Sequence, residues 1–229
     1  IWGPNGGNPS KIPNEDSLAF EFDDVNLFSS NRFPGLDRYE GGPRLNYGIR
    51  GEFRNDTGGR NEVLFGQSYR SRADDTFEVG TGLDRNFSDF VGRILMSPTD
   101  YLNLSHRFRL DRKNFATRRS SIAVAAGPRW LTGSLAYTKL SDGPTIGIPT
   151  SLEQVNLGMN LRPRENWYLD LTHQRDLTES GGALVSGLGL TYKDECALIR
   201  ASLNRYFTQD ADVEATTNFI IRITLRNLG

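Results

Sequence analysis

From about residue 43 onward, apolar and polar residues alternate one by one in segments roughly ten to fourteen residues long. Over 43–54, Leu45, Tyr47, Ile49 and Phe53 fall on one side and Arg44, Asn46, Arg50, Glu52 and Arg54 on the other. Over 151–162, Val155, Leu157, Met159 and Leu161 oppose Gln154, Asn156, Gly158 and Asn160. In 166–175, Trp167, Leu169 and Leu171 oppose Tyr168, Asp170, Thr172 and Gln174. In the last segment, 217–228, Phe219, Ile221, Ile223 and Leu225 oppose Arg222, Thr224 and Arg226. A helix would repeat its apolar residues every three or four positions; these repeat every two. The pattern predicts eleven strands, at 43–54, 61–71, 87–96, 100–110, 116–126, 129–140, 151–162, 166–176, 182–192, 195–208 and 217–228.

The connections alternate too, in length. Asn55–Arg60, Ser97–Thr99, Gly127–Pro128, Pro163–Glu165 and Lys193–Asp194 are short, whereas 72–86, 111–115, 141–150, 177–181 and 209–216 are longer. Outer-membrane barrels sort their connections this way, with short periplasmic turns and longer extracellular loops. A soluble sandwich has no reason to do so. The predicted fold class is therefore all-β: about eleven antiparallel transmembrane strands of a larger barrel, an open curved sheet if isolated. Residues 1–42 are expected to be an extracellular loop segment, and 43–229 the C-terminal part of the barrel.

Composition supports this reading. Apolar residues make up 37%, low for a globular core but suitable for strands with one polar face. No stretch reaches the roughly 18 apolar residues of a membrane helix. The net charge of −1 argues against a nucleic-acid surface. Only Lys11, Lys113, Lys139 and Lys193 are lysines, and the remaining basic residues are arginines. Two accounts of that bias stand side by side: a GC-rich genome, and a need for bidentate contacts to phosphate. The chain starts at Ile1 without an initiator methionine or a signal sequence, so an outer-membrane protein of this kind is expected to have a further N-terminal part.

The stretch 12–47, IPNEDSLAFEFDDVNLFSSNRFPGLDRYEGGPRLNY, resembles the barrel domain of the LptD family in its alphaproteobacterial form. GLDRNFSDFVGRI (82–94), RFRLDR (107–112), YKDECALIRASLNRYFTQD (192–210) and FIIRITLRNLG (219–229) extend the resemblance over nearly the whole chain. It implies lipopolysaccharide transport and assembly at the outer leaflet, by a large barrel that supplies a lateral exit at its seam. The strand with Phe219, Ile221, Ile223 and Leu225 would form one side of that seam. The implied partners are lipopolysaccharide, an LptE-like plug lipoprotein inside the barrel, and the periplasmic Lpt bridge, met through an N-terminal domain. The resemblance also implies that Cys196, the only cysteine, forms a disulfide to that N-terminal part. The family often has two adjacent cysteines where this sequence has one. The alternative function is a porin or nutrient-uptake barrel, which would carry an inward-folded constriction loop and roughly sixteen strands.

Several side chains could carry chemistry. Arg44, Arg50, Arg54, Arg200, Arg222 and Arg226 lie on the polar faces of their strands, as candidates to line the lumen and contact phosphates or the plug. Equally, any water-filled lumen needs polar side chains. Glu15, Asp16, Glu21, Asp23, Asp24 and Asp37 could hold divalent cations or form an ordinary solvated loop, and they lack calcium-loop spacing. His106 and His173 sit on separate strands, His106 on the apolar face with Leu104 and Phe108. No GxSxG or metal-ligand cluster occurs, and SGLGL at 186–190 precedes no helix. No enzyme, metal or cofactor is expected.

Overall fold

The computed structural model describes residues 21–33, 39–54, 59–71, 77–141, 151–179, 181–207 and 214–225. All regular structure among them is β. The strands are β1 (Arg44–Arg54), β2 (Arg60–Arg70), β3 (Phe90–Thr99), β4 (Leu102–Leu110), β5 (Thr117–Ala126), β6 (Leu131–Ser141), β7 (Ser151–Arg164), β8 (Trp167–Asp176), β9 (Ala183–Lys193), β10 (Ala197–Tyr206) and β11 (Thr216–Leu225). They form one sheet in sequence order, so among the described residues β1 and β11 each have a single neighbour. All eleven expected strands are present.

Three boundaries differ from expectation. β3 starts at Phe90 rather than 87 because the ladder to β2 slips by one residue there: Gly66 pairs with Val91 but Tyr69 bridges Phe87, and between them Asp89 N–H turns away to Gly82 O (2.8 Å). β3 then continues through Ser97–Thr99, expected as a turn, leaving only Asp100 and Tyr101 to reverse the chain. β7 extends to Arg164, with a register irregularity between Leu161 and Arg164. Between β5 and β6, Gly127 has φ +130°, and a Cβ there would run into the carbonyl of Leu131. The turn thus requires glycine.

Residues directly opposite in an antiparallel ladder share a face. Ile49 pairs with Phe65 and Phe65 with Gly92, whereas Glu52 pairs with Glu62 and Leu64 with Arg93. The polar and apolar faces read from the sequence are therefore the faces of the sheet. Many outward apolar side chains are well exposed, among them Ile49, Leu188, Ile221 and Ile223. That suits a sheet whose apolar face meets lipid.

The chain divides into two compact units. The first comprises Ile1–Met96, Ser105–Ile122 and Lys139–Leu152; the second comprises Ser97–Leu104, Ala123–Thr138 and Glu153–Gly229. In the first unit Phe22, Leu27, Phe33, Phe77, Leu83 and Val91 form a buried apolar cluster. Val91 lies on the polar face, opposite Gly66, and a Cβ on Gly66 would come within 2.5 Å of Leu27 Cδ2. The cluster is therefore built on the inward side of the sheet. In the second unit no apolar side chain is buried among the described residues, and most of its aliphatic residues sit on the outward face.

Candidate functional site on the polar face

Segment 21–33 and the link following β2 cover the polar face of the first unit, and arginines hold them there. Arg32 is fully buried. It donates to Glu40 Oε1 (2.7 Å), to the carbonyls of Asn26 (3.1 Å) and Leu27 (3.0 Å), to Asn46 Oδ1 of β1 (2.7 Å) and to Ser68 Oγ of β2 (3.1 Å). Arg44 and Arg70 approach the same carboxylate at 3.6 and 3.9 Å. Burial pulls the Arg32 guanidinium down to about 10, still charged at neutral pH. Burial also pushes the Glu40 carboxyl up, against the pull of Arg32, Arg44 and Arg70.

Two more clusters pin the same segment. Arg93 of β3 bonds Asp24 Oδ2 (3.1 Å) and Glu62 Oε1 (2.5 Å), and Arg50 reaches Glu62 Oε2 (3.1 Å). Arg109 of β4, also fully buried, donates to Thr81 O (2.7 Å) and lies 3.5 Å from Glu21 and 3.7 Å from Asp89. Arg119 of β5 pairs with Glu21 as well. Paired, hydrogen-bonded charges are the form in which a buried guanidinium is tolerable.

This geometry corrects part of the sequence reading. Arg44 lies on the polar face as expected but lines no open lumen. It is buried, and its guanidinium donates to the carbonyls of Glu40 (3.1 Å), Ser29 (3.3 Å) and Ser30. Glu21 and Asp24 are engaged by guanidiniums, and Asp23 accepts the N–H groups of Val25 and Asn26 at 3.0 Å. These three acids serve packing and a turn, not a cation site. Glu15, Asp16 and Asp37 lie outside the described residues, as does Arg226. Arg54 is exposed, 3.8 Å from Glu52. Arg32, Glu40, Arg70, Arg93 and Arg109 were not singled out by alternation. The first two do fall within NLFSSNRFPGLDRYEGG, the most distinctive stretch of the chain.

In the second unit the polar face is open. Arg200 of β10 stands directly opposite Arg222 of β11. Arg200 reaches diagonally across β9 to Asp170 Oδ2 of β8 (3.1 Å). It passes over Gly189, where a Cβ would strike the Asp170 carboxylate. At Gly187 a Cβ would lie 2.6 Å from Thr172 Oγ1 and 2.8 Å from Asn204 Oδ1. The missing side chains leave a hollow of about 270 Å³, lined by Asp170, Arg200, Ser202, Asn204 and Arg222 among others. Among the described residues Arg222 has no carboxylate partner.

Phe219, Ile221, Ile223 and Leu225 lie on the outward face of β11, exposed along the strand. Cys196 is exposed in the β9–β10 turn, its N–H donating to Asp194 Oδ1 (2.8 Å). His106 shares the outward face with Phe108, ring centroids 5.3 Å apart. Its Nε2 is 3.1 Å from Ser120 Oγ, and His173 Nδ1 is 2.8 Å from Ser186 Oγ. A cross-strand serine thus satisfies a polar ring atom on a face otherwise apolar, a pairing the alternation pattern did not reveal.

Among solved structures, a mutant of the Rh. blastica porin is similar at 11% identity, covering 80% of each chain with a TM-score of 0.44. A search of curated proteins returns no match. The family model of LptD, LPS transport system D, matches residues 2–167. That span holds the covering segment, its ion network and strands β1 to β7. The chain belongs to the LptD family, a family of LPS transport and assembly rather than of enzymes, and its place is the outer membrane.

Proposed function

We propose that this chain forms the closing wall of an LptD translocon barrel and delivers lipopolysaccharide sideways to the outer leaflet. In this reading β11 is one side of the lateral exit. The observation that carries it is the two faces of β11: an apolar outward face, and Arg222 facing inward beside Arg200. A strand edge in lipid leaves N–H and C=O groups unpaired, so it must meet another strand, and a weakly paired meeting is where a wall can open. Arg200, Arg222 and Arg226 would guide phosphate groups toward that edge, with Arg50 and Arg54 lining the polar face further along. An LptE-like lipoprotein would occupy the interior, and Cys196 would bond to a periplasmic N-terminal part that receives lipid from the Lpt bridge.

Depleting the protein tests the reading. Lipopolysaccharide should accumulate in the periplasm, and a photocrosslinker at Arg222 should capture lipopolysaccharide during transport. Normal surface lipopolysaccharide after depletion would overturn it. For the disulfide, non-reducing gels should show a mobility change on Cys196→Ser. One observation favours the porin alternative: segment 21–33 lies against the polar face, as a constriction loop would. A porin's loss would leave surface lipopolysaccharide intact, so the depletion experiment separates the two.

A further inference from the structure

On the outward face, where one long link joins β2 to β3 and the link after β4 leads into β5, aromatic and basic side chains meet around a second hollow, of about 510 Å³. Its lining includes Arg85, Phe87, Phe90, Arg112 and Lys113. Phe90 of the lining belongs to a run of rings: Phe65 stacks on Phe90 (5.3 Å, 12°), and Phe90 stacks on Phe115 (5.1 Å, 11°). Beside them Phe87 packs on Tyr69 (4.7 Å). The basic groups lie on the links themselves. Arg85 is exposed, with Asp84 3.6 Å away. Arg112 is tethered to Asp84 (3.2 Å) and Asp89 (3.8 Å), while among the described residues no carboxylate pairs with the exposed Lys113.

Phe115 adds a second, independent observation. It has φ +56°, the only non-glycine residue in the left-handed region among those described, and its ring is exposed. A bulky residue rarely adopts that conformation, and glycine or asparagine would hold it without strain. The turn is otherwise well supported: Asp111 accepts the N–H groups of Lys113 (2.8 Å) and Asn114 (3.3 Å), and Phe115 N–H donates to Asp111 O (3.0 Å). The phenyl group is thus kept, at a cost in backbone strain, as the outer member of the stack. Strain held in an exposed aromatic residue is a mark of a surface that binds something.

We infer that this rim binds the headgroup of a phosphorylated outer-leaflet lipid. The rings bed against acyl chains at the membrane interface, and Arg85, Arg112 and Lys113 meet the phosphates above them. Aromatic side chains favour the interface, and basic residues just beyond it are drawn to anionic headgroups. Arg112, already oriented by two carboxylates, offers a planar fork, and Lys113 a mobile point charge. The site rests on the orientation with long links outside but not on transport, since it faces away from the polar side.

The test uses the native protein in detergent and native mass spectrometry, with bis-phosphorylated lipid A as probe. Its fully dephosphorylated form and inorganic phosphate serve as the other arms. The wild type should retain the phosphorylated lipid at least tenfold better than the dephosphorylated form, and inorganic phosphate should compete only weakly. Arg85→Glu combined with Lys113→Glu should abolish that preference. Phe115→Gly, which relieves the backbone, should weaken retention severalfold while leaving the folded fraction on gels unchanged or higher. Arg129→Glu, a charge reversal at an exposed residue of the short β5–β6 turn, should leave retention unchanged, which separates loss of this site from a general effect of charge. Unchanged retention in the double variant, or equal retention of both lipids by the wild type, would overturn the inference. So would full competition by inorganic phosphate, which would point to an anion site indifferent to lipid.

Discussion

The polar face of the sheet is used in opposite ways in the two units. On β1 to β5 it is roofed by segment 21–33 and by the link after β2, and Arg32, Arg44, Arg70 and Arg109 are buried there among carboxylates and carbonyls. On β8 to β11 nothing described covers it, and Arg200 and Arg222 face a shallow hollow. The same alternation of arginine with apolar residues serves both. An arginine on a polar face is thus structural or available according to what lies above it, and only the fold shows which.

The difference is sharpest in the consequence of removing an arginine. Arg32→Ala should leave Glu40 without its closest partner and strand the carbonyls of Asn26 and Leu27. The expected loss is about 3–5 kcal/mol, the range for breaking a buried pair on one side. Urea titration of the native protein, read by its shift in gel mobility on heating, measures it. Arg200→Ala removes an exposed pair with Asp170 and should cost about 0–1 kcal/mol. Equal losses at the two positions would erase the contrast.

Glycines give a second pair of tests. A Cβ on Gly66 would meet Leu27 Cδ2 at 2.5 Å and the Tyr47 carbonyl at 2.7 Å, so Gly66→Val should lift the covering segment and cost about 1–3 kcal/mol. Gly51 lies on the outward face of β1 with nothing within 4 Å of a would-be Cβ. Gly51→Val should be neutral or mildly stabilising. Limited proteolysis of segment 21–33 in the two variants reads the displacement directly: faster cutting only in the Gly66 variant is the expected result.

The strands were legible because a two-residue period and the alternation of short and long links are local in sequence, and both survive into the sheet. Arg222 opposite Arg200 followed from the period as a shared face, although their register did not. The roof over the first unit was not legible. Segment 21–33 has no periodicity, and its partners Asn46, Ser68 and Arg93 lie far along the chain. Arg44 looked like Arg222 for this reason. The pattern that assigned it to the polar face carries no information about what packs above that face.

A smaller effect separates the links by pH. Asp111, in the β4–β5 link, is held down to about 2, first by Arg118 (2.7 Å) and then by the amides of Lys113 and Asn114. Its folded value lies below its ordinary 3.8. Its contribution is therefore complete above about pH 4 and is lost as pH falls toward 2. That contribution is up to ~2 kcal/mol, discounted for partial exposure of the Arg118 pair. Asp111→Asn should lower stability at pH 6 and flatten its pH dependence between 4 and 2. A parallel slope in wild type and variant would show that Asp111 contributes nothing there.

The smallest expected change is the most informative about function. Like charges directly opposite on neighbouring strands are unfavourable, and Arg200 opposite Arg222 is such a pair, with Asp170 neutralising only one member. Arg222→Thr would extend the Thr216–Thr217 and Thr224 chemistry of β11 and remove the repulsion. It should raise stability by about 0.2–1 kcal/mol in urea titration while reducing capture of lipopolysaccharide by a photocrosslinker placed at Asn218, on the same face of β11 beyond Ile220. A residue that costs stability and supports capture is held for its ligand. If Arg222→Thr leaves both unchanged, Arg222 is only a polar side chain in water, and the open polar face of β8 to β11 differs from the roofed one in cover alone.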